Sequence, residues 1–136
     1  MSGFSFAVVP RYAEVDQQGV VFNGHYLTWF DEAFTGFLDH VGLPYPKLIE
    51  SGVDVMVVHS ELDYGGSVRW RDDARVEVTC ERRGTTSFTL GFTVYRSADE
   101  VAVVGRNVYV VVVQDPETGA WSKALGIPDE LAAVLG

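Results

Sequence analysis

Two hydrophobic periods run along the chain, and the point where one replaces the other divides it into a helical part and a strand part. Phe4 to Val15 reads as a first strand, with Pro10 marking an edge position or a bulge. Asp16-Gln17-Gln18-Gly19 has turn chemistry. From Asn23 to Val41 the spacing is three and four: Tyr26, Phe30, Ala33, Phe37 and Val41 form one stripe, widened by Trp29, Phe34 and Leu38. This predicts one long helix, largely enclosed. Gly42 ends it, and Pro44 and Pro46 prevent its continuation. Pro46 to Gly52 suits a short helical turn.

After Gly52 the period falls to two. Val53 to Val68 reads as a long strand. Arg75 to Arg83 sets Val76, Val78 and Cys80 against Arg75, Glu77, Thr79 and Glu81, and Gly84-Thr85 is a hairpin turn. Ser87 to Arg96 sets Phe88, Leu90, Phe92 and Val94 against Thr89, Gly91 and Thr93. Ser97 to Glu100 is a second turn, followed by a valine-rich last strand from Val101 to Gln114 and a loop at 115–119. The tail, Ile127 to Leu135, suits a short helix starting near Pro128-Asp129. Tight turns make these strands an antiparallel meander, and such a sheet buries one face. The expected fold is α+β: an antiparallel sheet of about five strands wrapped around one long central helix.

The 136 residues are expected to form one domain, and at 47% hydrophobic they can build a core without disulfides or metals. The lone cysteine, Cys80, lies in an alternating apolar run and reads as a small core residue. His25, His40 and His59 lack metal-ligand spacing, so no metal or cofactor is expected. Nothing resembles a signal peptide, and the longest apolar run in the C-terminal half, Val108 to Val113, is too short to span a membrane. The expected location is the cytoplasm. A net charge of −9 argues against nucleic acid as a partner.

The segment from Asp16 to Tyr26 carries the chemistry. It places a carboxylate on a glycine-containing loop that runs into a helix start, where free N–H groups and partial positive charge gather. Those donors can polarise a carbonyl and hold the oxyanion that develops from it. A nearby Asp can attack that carbonyl or activate water. An Asp in a glycine loop is also a common turn residue, so the pattern alone leaves both roles open.

Asp16-x-x-Gly19-Val20-Val21-Phe22, followed by Tyr26-Leu27-x-Trp29-Phe30-Asp31-Glu32-Ala33, resembles the signature of the 4-hydroxybenzoyl-CoA thioesterase group of hotdog-fold proteins. The nearest branch is that of the bacterial acyl-CoA thioesterases associated with the Tol-Pal region. Leu62-Asp63-Tyr64, Asp72-Asp73 with Val76, and Ile127-Pro128 extend the likeness over most of the chain. The resemblance implies thioester hydrolysis of an acyl-CoA, with Asp16 as nucleophile or general base. It implies that the N–H of Asn23 holds the carbonyl and that Gly19, Val20, Val21 and Phe22 flank the substrate. Tyr26 either lines the acyl pocket or packs the core. Where the Tol-Pal branch often has histidine, this chain has Asn23, with His25 two residues on. Phe34 replaces a common arginine and Ser67 a common proline. Hotdog hydratases place histidine five residues after the aspartate; here that residue is Val21. The enediyne-type thioesterases lack the acid that Asp16 supplies.

For CoA phosphates the candidates are Arg82 and Arg83 at the hairpin, and the cluster Arg69, Arg71 and Arg75, all equally consistent with a charged sheet edge. His59 and Ser60 lie mid-strand where a neighbouring subunit could form a pocket, although His59 shares its face with Glu61 and Asp63 and so should face solvent. Open strand edges and the resemblance both lead to a homodimer, or a dimer of dimers, with two-fold symmetry. An acyl-carrier-protein substrate and a non-catalytic acyl-CoA-binding module are the competing readings; the negative charge disfavours the acidic carrier.

Overall fold

A computed structural model describes residues 4–136 of the protein. Strand β1 (Phe4–Val8) is followed by helix α1 (His25–His40), helix α2 (Tyr45–Glu50) and strand β2 (Val53–Tyr64). Strands β3 (Ala74–Arg83), β4 (Ser87–Tyr95), β5 (Val101–Gln114) and β6 (Trp121–Lys123) lead to helix α3 (Asp129–Leu135). The strands form one antiparallel sheet in the order β1-β3-β4-β5-β2, with β6 added to β5. This is the hotdog arrangement: a sheet curved around α1.

The alternation in β3 and β4 is realised as read. Val76, Val78, Phe88, Leu90, Phe92 and Val94 are all buried, each on the helix side of the sheet. Cys80 is only half-buried; burial pushes its thiol pKa up, which makes it a poor nucleophile. From α1, Tyr26, Trp29, Phe30, Ala33, Phe34, Phe37 and Leu38 are buried. Phe30 stacks on Phe92 with ring centroids 4.4 Å apart, and Phe34 on Tyr109 at 4.9 Å. The opposite face of α1, with Asp31, Glu32, Thr35 and Asp39, is exposed in the single chain, so the helix is less enclosed than its stripe suggests.

Three boundaries differ most from the sequence reading, and one strand is additional. β1 stops at Val8 rather than running to Val15, because Pro10 supplies no N–H for the ladder; a 3-10 turn follows at Tyr12–Glu14. α1 begins at His25 rather than Asn23, with Gly24 at its N-cap. β2 ends at Tyr64 rather than Val68: Gly65 and Gly66 both turn their N–H groups to the Ala102 carbonyl, at 2.9 and 2.8 Å. The short strand β6 was not anticipated; three residues carry too little alternation to read.

β2 is an edge strand. Twelve residues long, it pairs with β5 on one side only and shifts register at Val58. Its middle exposes Met56, Val57 and Val58, with relative exposures of 58, 46 and 59%. No helix among the described residues is long and apolar enough to cross a membrane.

The close approach of α1 to the sheet rests on Gly105. A Cβ there would lie 2.7 Å from the Phe30 ring and 2.8 Å from the Glu61 carbonyl oxygen, and the carbonyl belongs to a paired strand that cannot step aside. Gly105→Ala is therefore expected to destabilise the protein by about 1–3 kcal/mol. Chemical denaturation at fixed protein concentration checks this, and an unchanged midpoint would contradict the packing described.

Candidate active site

The Asp16 loop is a small closed structure. Val15 bridges Val21, the Asp16 N–H donates to the Val20 carbonyl at 2.9 Å, and the Gly19 N–H donates back to the Asp16 carbonyl at 3.0 Å. Gly19 has φ +78°, a conformation that glycine adopts without strain. One carboxylate oxygen of Asp16 accepts the Gln18 N–H at 2.8 Å, the local bond of an Asx turn. The side chain is otherwise exposed, which leaves the second oxygen free.

Two residues before Asp16 stands a very different carboxylate. Glu14 is only 3% exposed, and three donors converge on it. They are Trp29 Nε1 at 2.8 Å, the Arg11 N–H at 2.8 Å and Arg11 Nη2 at 3.2 Å. Burial alone would raise its pKa, but these hydrogen bonds and the Arg11 charge outweigh it and hold the carboxyl below its ordinary value. The Glu14 carbonyl also accepts the Phe22 N–H at 2.9 Å. Glu14 thus ties both ends of the Asp16 loop to each other and to α1.

The loop forms one wall of a cleft of about 390 Å³, lined by Asp16, Val20, Val21, Phe22, Asn23, Tyr26, Tyr64, Gly66 and Ser67. Tyr26 is its buried anchor: its hydroxyl accepts the Val68 N–H at 3.2 Å, and burial pushes the phenol pKa up. Tyr26 is thus buried in the core and also lines this cleft. The Tyr64 hydroxyl donates to the Asn23 carbonyl at 3.3 Å. The Asn23 N–H has no acceptor among the described residues. The donor at the entry to α1 thus lies two residues before the helix begins, in the turn that leads into it. The ring of Phe22 lies 54% exposed at the cleft.

Six residues singled out from sequence meet here: Asp16, Val20, Val21, Phe22, Asn23 and Tyr26. Gly19 shapes the turn, and His25 opens α1 beside Phe22, with ring centroids 6.0 Å apart. Other candidates lie elsewhere in the single chain. His59 is exposed with Nε2 3.9 Å from Glu61, as its strand face suggested. Ser60, on the edge strand β2, donates to Oδ1 of the buried Asn107 of β5 at 2.6 Å. Arg82 and Arg83 lie at the far end of β3, about 30 Å along the strand from Ala74 at roughly 3.3 Å per residue. Arg83 Nη1 donates there to the Ala132 carbonyl of α3 at 2.8 Å. A second cavity of about 270 Å³ lies beside β2, between Asp31, Phe34, Tyr45, Val57 and Tyr109; burial, then the charge of Glu32, pushes the Asp31 carboxyl up. No group of three or more His, Cys, Asp or Glu among the described residues is placed to hold a metal.

Sequence reading missed Tyr64, Gly66 and Ser67 as cleft residues, since only the fold brings them to a loop some forty positions earlier. It also missed Glu14. The Arg11-x-x-Glu14 spacing was the available signal.

Residues 18–103, well over half of the chain, match the model of the thioesterase superfamily. The chain belongs to the thioesterase superfamily. Its reaction class is thioester hydrolysis. The match begins two residues after Asp16. A putative acyl-CoA thioesterase of Bacillus subtilis, YneP, is 26% identical over 102 residues, covering 75% of this chain and 74% of that protein. The crystal structure of a hypothetical protein from Aquifex aeolicus superposes with a TM-score of 0.88 at 26% identity, covering 98% of this chain and 99% of the other. The crystal structure of a mutant 4-hydroxybenzoyl-CoA thioesterase complexed with 4-hydroxybenzoyl-CoA shares the fold along the full length of both chains, with a TM-score of 0.86 at 15% identity.

Glu14 gives this superfamily member a pH signature. Its pKa is lowered by folding, so its contribution is fully present above the unfolded value near 4.5 and is lost as pH falls through the lower folded value. Glu14→Ala, which strands the buried Trp29 N–H, is expected to cost about 1.5–3 kcal/mol at neutral pH. The gap between wild type and variant should narrow below about pH 4.5. Denaturation midpoints measured across pH 3–7 check both statements; a gap that widens in acid would contradict them.

Proposed function

We propose that this protein hydrolyses acyl-CoA thioesters, with Asp16 as nucleophile or general base and the Asn23 N–H as oxyanion donor. The observation that carries the reading is the pairing, in one aromatic-lined cleft, of a carboxylate with a free oxygen and a backbone N–H without an acceptor. In the nucleophilic route, Asp16 attacks the thioester carbon and the CoA thiolate leaves. Water then cleaves the mixed anhydride, releasing the acid and regenerating the carboxylate. In the general-base route, Asp16 takes a proton from the attacking water and that proton ends on the thiolate. Both routes place negative charge on the carbonyl oxygen, which the Asn23 N–H stabilises. CoA as carrier is supported by YneP, whose name describes an acyl-CoA thioesterase.

The working unit in this reading is a homodimer paired through β2. A twelve-residue strand with one unpaired edge and an exposed Met56-Val57-Val58 run invites a second copy. An antiparallel two-fold pairing along β2 puts His59 and Ser60 at the interface.

Thiol release from a panel of aliphatic and aromatic acyl-CoAs tests the reaction. Asp16→Asn is expected to lower turnover on the order of 10²–10⁴-fold while the protein stays folded. Undiminished turnover would remove Asp16 from the mechanism, and wild type inert toward every CoA ester would overturn the carrier. Val57→Lys is expected to shift the protein toward monomer in sedimentation and to lower activity with it. A monomeric wild type would end the β2 proposal.

A further inference from the structure

An aromatic and cationic patch lies immediately outside the cleft. Ser67 lines the cleft, and Arg69 bridges to Val20 on the opposite wall. The next residue, Trp70, is 45% exposed. The Arg71 guanidinium lies over its indole, 4.5 Å from the ring centroid, and Tyr12, 76% exposed, meets it edge-on at 5.4 Å. Arg71 has φ +72° and, among the described residues, is the one non-glycine residue with positive φ. Arginine gains nothing intrinsic from that conformation, so the loop holds it there at a cost.

Arg11, Arg96 and Arg106 are each paired with glutamates. Arg69 and Arg71, like Arg75, Arg82 and Arg83, have no carboxylate partner among the described residues. The neighbouring Asp72 is half-buried, its Oδ2 accepting the Arg69 N–H at 2.7 Å. On a molecule of net charge −9, the run Arg69-Trp70-Arg71 thus offers an exposed indole and two cations that form no ion pair among the described residues, next to Asp72 and Asp73 in sequence, with Arg69 bridged to the cleft residue Val20.

We infer that this patch is the subsite for the adenine nucleotide end of the substrate, with Trp70 and Tyr12 as the stacking surface and Arg69 and Arg71 as the phosphate contacts. A base has an aromatic face for Trp70 and Tyr12, and its phosphates need the fork that arginine presents. An acyl group with no nucleotide would use neither. The inference rests on the acyl-CoA reading given above for the carrier, and it names where the carrier is held.

The experiment compares one acyl group on two carriers: the CoA ester and the N-acetylcysteamine thioester, which lacks the nucleotide. The variants are Trp70→Ala and Arg71→Asn, the second chosen because asparagine tolerates positive φ. Each is expected to lower kcat/KM for the CoA ester about tenfold through KM, leaving kcat and the truncated thioester unchanged. Free CoA is expected to quench tryptophan fluorescence in wild type and far less in Trp70→Ala. Equal losses on both carriers, no loss on either, or a changed oligomeric state with binding of CoA intact would each overturn the subsite. A wild type that hydrolyses no CoA ester yet binds CoA through Trp70 would leave the subsite standing and remove the proposed reaction; a wild type that binds no CoA removes both.

Discussion

The constraint on which the site depends is the burial of one negative charge. Glu14 is held by three donors from two segments that are far apart in sequence, and taking those donors away would leave a desolvated carboxylate next to a desolvated indole N–H. Removing either partner is therefore costly, and the geometry of the whole Arg11–Phe22 segment follows. Its carbonyl fixes Phe22, its side chain fixes Trp29, and Trp29 is locked in the core of α1. The loop between them has little freedom left. Asp16 emerges from that loop on a glycine turn with one oxygen committed and one open. Two carboxylates two residues apart are thus given opposite environments: one is satisfied and buried, the other exposed and available.

Charge is distributed by the same logic over the rest of the molecule. On the outer face of the sheet, Arg106 bonds both Glu61 and Glu81 at 3.0 Å, joining three strands, and exposed pairs of this kind stabilise only modestly. The paired arginines serve the scaffold. Arg83 is likewise occupied, since it donates to the last turn of α3. What separates a structural arginine from one available to a ligand is the presence of such a partner, and a sequence does not print partners. Spacing alone made Arg82 and Arg83 as attractive as Arg69 and Arg71; only the fold shows which pair adjoins the cleft.

The legibility of the chain follows the range of the interactions. The period of two in β3 and β4 and the 3.6 period in α1 are local, and every apolar residue read into those faces is buried except the half-buried Cys80 and Val41. Boundaries are less local. α1 starts at His25 because the turn through Asn23 and Gly24 closes on the Phe22 carbonyl, and β2 stops at Tyr64 because Gly65 and Gly66 find the Ala102 carbonyl across the sheet. The floor of the cleft is set by Tyr26 meeting Val68, a contact across forty-two positions. The Asp16 half of the site could be read because it is one continuous segment. The Tyr64–Ser67 half could not, because it arrives by folding.

The last step concerns what one chain leaves unfinished. α1 is amphipathic in a way the sheet cannot fully use: its aromatic stripe is buried, while Asp31, Glu32, Thr35 and Asp39 remain at the surface. β2 has the complementary incompleteness, an apolar run of Met56, Val57 and Val58 along an edge with unused backbone hydrogen bonds. A chain with such an edge risks open-ended association unless a symmetric partner closes it. A two-fold pairing through β2 closes it in one step, since the same edge is supplied by both copies. Such a pairing would also account for Phe22 and Tyr64, both about half exposed, bordering the candidate cleft in the isolated chain. In the proposed dimer the second copy would add a wall to that cleft, so the exposed edge and the open cleft both fit one absent neighbour.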